Sequence, residues 1–199
     1  VSKQPRSIPT DRQLVDQVLG GDTPAFDEII SMTEGLVAQI VCRLISNEED
    51  RKDIVQDIYL KVFHHLKGFR FQSKLSTWVA QIAYNTCNSH LQKRRLPLHV
   101  LPDGEGAGPG SGRSNTIRAA EETDEPILQK ELTGILQAEI GRLPPLYQTL
   151  VGLYHQEELT YQEMARITGL PEGTVKSYLF RARKMLKEKL LSKYKMEKL

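Results

Sequence analysis

The side chains best equipped for chemistry in this chain are cations and hydrogen-bond donors set at helical spacing near its C-terminus. Lys176, Ser177, Phe180, Arg181, Arg183 and Lys184 fall within 171–195, a run with eight Lys or Arg against two acids, Glu172 and Glu188, for a local charge of +6. Ammonium and guanidinium groups bind phosphate oxygens, a lysine can donate to guanine, and a carboxylate can accept from a cytosine amine. Val175, Leu179, Ala182 and Leu186, at intervals of four, three and four, make a separate apolar stripe. The cations therefore occupy the open face of an amphipathic helix, and that face suits the major groove of DNA.

The residues ahead of this helix are the ones that must position it. Thr160 predicts an N-cap, and Glu163 three residues on completes a capping box. Met164, Ala165 and Ile167 supply packing, and Gly169 stands where a tight turn needs positive φ. Pro171 suits the first turn of the next helix, where its missing N–H is no loss. The combination predicts a helix-turn-helix. Pro171, Glu172, Gly173, Thr174, Lys176 and Ser177 are expected to approach base edges and backbone, and Phe180, Arg181, Arg183 and Lys184 to grip phosphates. A solvated basic helix would account for the charge but not for the turn.

A second cationic stretch, 67–95, holds six bases and no acid. Within it Phe71, Ser73, Lys74, Trp78, Tyr84, Asn85, His90 and Gln92 lead into Lys93, Arg94 and Arg95. Rings stack on unpaired bases, amides and hydroxyls read their edges, and terminal cations hold phosphate. Leu75, Trp78, Val79, Ile82 and Ala83 are expected to face a core. Just upstream, 47–63 predicts a helix with Val55, Tyr59, Val62 and Leu66 on one face. Asp50, Asp53, Gln56, Asp57 and Lys61 point elsewhere. Taken alone that polar ridge is an ordinary solvated surface.

Helical periodicity runs through both halves and no strand pattern persists, which predicts an all-α protein of two small domains. Residues 1–9 read as a loose arm and 10–95 as the first domain, with helices after Thr10, from Asp22 or Thr23 to about Ser46, over 48–67 and over 73–95. Residues 96–126 are dense in Gly, Pro and Ser, and 96–130 carry six acids against three bases; a flexible linker is expected. The second domain, 127–199, begins with helices over 127–141 and 144–157. Cys42 and Cys87 show no metal-ligand spacing, so free thiols in a reducing cytosol are expected and no disulfide framework. No metal, cofactor or catalytic residue is expected. No leader pattern or membrane-length apolar run is present, which reads as a soluble, cytoplasmic protein without membrane insertion.

The order of these segments resembles the extracytoplasmic-function (ECF) group of bacterial RNA polymerase sigma factors. The resemblance covers about 11–191 and rests on four segments: a D-x-x-Q-D core at Asp53 to Asp57; an F-x-x-x-S-x-x-S-T-W-x-x-x-I-A-x-N loop and helix ending at Asn85; the Leu143-Pro144 pair; and G-T-V-K-S-x-x-x-R-A-R from Gly173 to Arg183. Two positions depart from the usual pattern: the loop reads Phe-Arg-Phe-Gln where a glycine commonly follows the Arg, and Asn88 stands where an acid is frequent. The resemblance implies that Asp50, Asp53, Gln56, Asp57 and Leu60 meet the clamp coiled coil of the RNA polymerase large subunit. It implies that the aromatic loop and basic helix hold the separated minus-10 strand, and that the helix-turn-helix reads the minus-35 duplex. Leu146, Leu150 and Leu153 are expected in the domain core, and the resemblance adds a flap contact as a second role near them; it also implies control by an anti-sigma factor.

Two other classes compete. A helix-turn-helix regulator that binds duplex DNA by itself would need a sensing domain, and the N-terminal half shows no α/β pattern to make one. An enzyme acting on nucleic acid would need clustered carboxylates, a phosphate loop or an activated nucleophile, and none is evident.

Overall fold

In the computed structural model, residues 10–94 and 127–196 are described, and they form eight α-helices and one 3-10 turn with no strand among the described residues. The 1–9 arm, Arg95, the 96–126 linker and the last three residues lie outside them. Helix α1 (Asp11–Leu19) is capped by Thr10, whose side chain accepts from the Gln13 N–H while Gln13 closes the box on the Thr10 N–H at 2.9 Å. Gly21, at φ +95°, turns the chain. Helix α2 (Thr23–Leu44) then carries Ile29, Leu36, Val37, Ile40, Val41 and Leu44 into the core.

Helix α3 (Glu48–His65) starts at Asn47, which accepts from the Glu49 N–H, and its first-turn acids Glu48, Glu49 and Asp50 complement the helix dipole. Its buried stripe is Ile54, Ile58 and Val62, continued by Leu66 in the 3-10 turn Leu66–Gly68. Val55 and Tyr59, expected on the same face as Val62 and Leu66, are half-buried at its edge. Val62 and Leu66 are buried as expected, while Ile54 and Ile58 take the inward places of Val55 and Tyr59, because α3 packs against both α2 and α4.

Helix α4 (Leu75–Arg94) owes its start to a distant residue: the Leu75 N–H donates to Asp11 Oδ2 at 2.7 Å. Leu75, Val79, Ala80, Ala83 and Cys87 face inward, whereas Trp78 and Ile82 are half-buried.

The C-terminal group is α5 (Ile127–Ile140), α6 (Pro145–His155), α7 (Tyr161–Thr168) and α8 (Glu172–Met196). Leu150, Leu153, Met164, Ile167, Val175, Leu179 and Ala182 form its centre. The two groups rest against each other, α2 on α6 and α4 on α7. The sequence left a compact and a splayed arrangement equally open; the described residues are compact. No helix among them is long and apolar enough to cross a membrane.

Candidate nucleic-acid interface

The helix-turn-helix forms as its residues dictate. Thr160 accepts from the Glu163 N–H, and Glu163 Oε2 accepts from the Thr160 N–H at 2.9 Å, closing the capping box. Gly169 ends α7 in the left-handed region at φ +72°, donating its N–H to the Ala165 carbonyl. Pro171 sits just before α8 rather than in its first turn, and its carbonyl accepts from the Thr174 and Val175 N–H groups. Val175, Leu179, Ala182 and Leu186 are all buried, so the expected stripe fixes how α8 rotates.

That rotation leaves Glu172, Gly173, Lys176, Ser177, Phe180, Arg181, Arg183 and Lys184 exposed, with Thr174 half-buried. The cations are tethered. Lys176 pairs with Glu172 at 2.9 Å and lies 5.3 Å from the centre of the Tyr161 ring. The hydrogen bond and charge of Glu172 raise the pKa of Lys176. Arg183 lies 4.9 Å over Tyr154, which stacks on Tyr161 at 5.4 Å, and Arg181 lies 6.0 Å over Tyr178. Hydrogen bonds from Tyr161 and then Arg183 lower the Tyr154 phenol pKa. Lys184 reaches Glu188 at 4.0 Å. Phe180 is 69% exposed, a large apolar ring held out into solvent among the cations of α8. It has no donor, so it cannot grip a phosphate; its chemistry fits a thymine methyl instead. The tyrosines were not singled out in sequence, since their rings meet the cations only after α6 and α7 fold onto α8.

The second cluster is divided. Phe71 is exposed at positive φ (+56°), its ring on Phe69 at 4.7 Å and beneath the Arg12 guanidinium at 5.1 Å. Phe69 continues to Trp78 at 5.2 Å, so Trp78 is partly core and partly surface. Ser73 is half-buried, while Lys74, Asn85 and Lys93 are exposed. Arg94 ends α4, and Arg95 lies outside the described residues. Tyr84 departs from expectation: at 8% exposure it belongs to the core and presents no ring to a base. Position 84 follows Ala80 by one helical turn on the buried face, which overrides its aromatic chemistry.

Lys74 is joined to Glu163 of α7 at 2.8 Å. The Glu163 hydrogen bond and charge raise the Lys74 pKa. Burial pushes the Glu163 carboxyl up, but hydrogen bonds from Lys74 and from the Thr160 backbone and hydroxyl bring it below its ordinary value. Arg166 Nη1 also donates to the Gln72 carbonyl at 2.9 Å.

On α3, Asp53, Gln56, Asp57 and Leu60 are exposed along one ridge, Leu60 at 59%. Asp57 pairs with Lys61 at 2.7 Å. Asp50 turns inward toward His90 of α4, at 3.8 Å, and so leaves the ridge. Phe63, 52% exposed and edge-on to Phe26 at 5.2 Å, extends the ridge with an apolar end that sequence reading passed over. Leu150 and Leu153 are fully buried, which removes them from any flap contact; Leu146 remains half-exposed. No group of three or more potential metal ligands occurs among the described residues.

The Sigma-70 region 2 family description matches residues 29–96, and that of Sigma-70, region 4 matches 133–186. The chain is 34% identical over 185 residues to the ECF RNA polymerase sigma-E factor of Haemophilus influenzae, across 91% of this chain and 95% of that protein. Two solved structures share the fold. CnrH in complex with the cytosolic domain of CnrY superposes with a TM-score of 0.61 at 20% identity, over 92% of this chain and 97% of that one. The sigma factor RpoE of Bartonella quintana, in complex with the anti-sigma factor NepR, gives 0.56 at 22%, over 82% and 94%.

Proposed function

The chain belongs to the ECF RNA polymerase sigma factors, and from that premise we propose how its residues divide the work of promoter recognition. The α3 ridge of Asp53, Gln56, Asp57 and Leu60 docks on the clamp coiled coil of core polymerase. The loop at 69–74 and the outer face of α4 take the separated minus-10 strand, and α8 reads the minus-35 duplex. The observation that carries this reading is the separation of faces on α8. One stripe is fully buried, and the opposite face exposes Lys176, Phe180, Arg181 and Lys184 beyond a tight turn.

Lys176 and Glu172, at the start of α8, read base edges, Phe180 meets thymine methyls, and Arg181, Arg183 and Lys184 hold phosphate. Phe71, Trp78, Asn85 and Lys93 supply stacking, edge contacts and charge to the single strand. Unstacking a base costs a few kcal/mol and stacking on an aromatic ring returns about 1–3 kcal/mol per base. Strand capture can therefore draw melting forward without a nucleotide fuel.

The domain boundaries 10–95 and 127–199, with 96–126 as linker, belong to the same proposal, as does a cytoplasmic site of action with polymerase. Control by an anti-sigma factor is also proposed, supported by the RpoE–NepR complex among the proteins sharing this fold. The test is permanganate footprinting of promoter fragments with purified core polymerase. Reactive thymines at the minus-10 element that require this protein support the proposal. Footprints of the protein alone on intact duplex, with no polymerase-dependent opening, would replace it with the regulator reading.

A further inference from the structure

We infer that the free chain occupies its own minus-10 loop, with Glu163 of the helix-turn-helix standing where a promoter phosphate binds. The inference rests on the proposed role of Lys74 in holding the strand. The Lys74 ammonium lies 2.8 Å from Glu163 Oε1, and Arg166 ties down the loop backbone through the Gln72 carbonyl at 2.9 Å. A carboxylate oxygen and a phosphate oxygen offer an ammonium the same acceptor. Glu163 is held independently of Lys74, because the same carboxylate closes the Thr160 capping box. Its side chain is 15% exposed, against 69% for Lys74. The fixed member of the pair is therefore the acid.

Two further features make this a joint rather than a chance surface pair. Gln39 of α2 donates to Gln156 after α6, and α6 comes so near that a Cβ on Gly152 would stand 2.9 Å from Gln39 Nε2. Beside the ion pair lies a cavity of about 510 Å³, bounded by Met32, Glu34 and Leu36 of α2, by Lys74 and by Glu157 and Leu159. The Arg12 guanidinium meanwhile lies over the Phe71 ring that a base would use. The duplex-reading face of α8 takes no part in these contacts. The closed chain thus withholds its strand-binding loop while still presenting its minus-35 helix.

The experiment combines zero-length carbodiimide cross-linking of the full chain with fluorescence anisotropy on a labelled oligothymidylate strand. Cross-linking should join Lys74 to Glu163, and E163Q should abolish that product; glutamine keeps the capping box, so the helix persists. The E163Q/R166A pair should bind the strand about threefold or more tightly than the parent, the scale of one ion pair with its hydrogen bond. K74A in that background should remove the gain. Absence of the cross-link, or strand affinity unchanged from the parent in E163Q/R166A although K74A still weakens binding there, overturns the inference. A cross-link that forms while strand affinity ignores Lys74 in every background instead rejects the strand-binding role beneath it, so the two failures are distinguishable.

Discussion

Lys176 and Lys184 are both exposed and each pairs with a glutamate four residues away, yet the proposed docking of α8 gives them different work. Lys176 is placed by Glu172 and Tyr161 in the second turn of α8, where a helix entering the groove meets bases; Lys184 stands two turns further along. K176A is therefore expected to change sequence preference by about 1–3 kcal/mol at one base pair. K184A should weaken all duplexes about equally and reduce the salt slope by about one ion. Gel shifts over variant sites and salt concentrations check both, and a change of preference in K184A would contradict the assignment. At the same scale, burial pushes the Cys87 thiol pKa up to about 12, so it should resist alkylation near neutral pH until the protein unfolds. Mass spectrometry after iodoacetamide treatment should find Cys87 unmodified in the native protein and modified in denaturant.

At the scale of elements, the turn is the sharpest point. G169A forces a side chain into φ +72° although nothing lies within 4 Å of its Cβ, so the cost is backbone strain alone. A loss of about 1 kcal/mol is expected, read as a shifted denaturation midpoint with an unchanged slope. Ile58 is fully buried on α3 whereas Val55 is half-exposed. I58A should cost about 2–5 kcal/mol and V55A clearly less; equal losses would place the core on the other face. The helix-turn-helix was legible in sequence because its signals are local: a cap with its box partner, a glycine, a four-three-four stripe. The core face of α3 was not, because Ile54 and Val55, and likewise Ile58 and Tyr59, are adjacent apolar pairs. Which member turns inward depends on where α2 and α4 lie. The start of α4 was equally hidden, its cap coming from Asp11, 64 residues away. The burial of Tyr84 is hidden in the sequence for a related reason, since ring chemistry says nothing about which face a helix turns inward.

For the whole molecule, the closed arrangement of the two halves is a matter of tertiary contact, and no spacing in the sequence encodes it. Lys74 and Glu163 are each ordinary surface residues until α4 and α7 meet. The Glu163 carboxyl has its pKa lowered below 4.5 in the folded chain. Its contribution is therefore complete above pH 4.5 and is lost as pH falls through the folded value. Lys74 from the loop is the charged group that faces it; around Lys74 in turn stand Asp11 of α1 and, across the neighbouring cavity, Glu34 of α2 and Glu157 ahead of α7, while Arg166 of α7 bonds the Gln72 carbonyl of the loop. Small-angle scattering should show a constant radius of gyration from neutral pH down to 4.5 and expansion below it. The same acid shift should be absent in E163Q. Expansion already at neutral pH would mean that the ion pair does not hold the halves together.

The central claim is that this chain confers promoter selectivity on core polymerase. The most direct measurement is run-off transcription on a library of promoter fragments, with purified bacterial core polymerase in the presence and absence of the protein. The account predicts transcripts that start at a shared pair of upstream and downstream elements only when the protein is added, and that fall away when Asp53 and Gln56 on the α3 ridge are replaced by alanine. Tight binding of the protein alone to duplex fragments, with no transcripts that depend on it, would contradict the account.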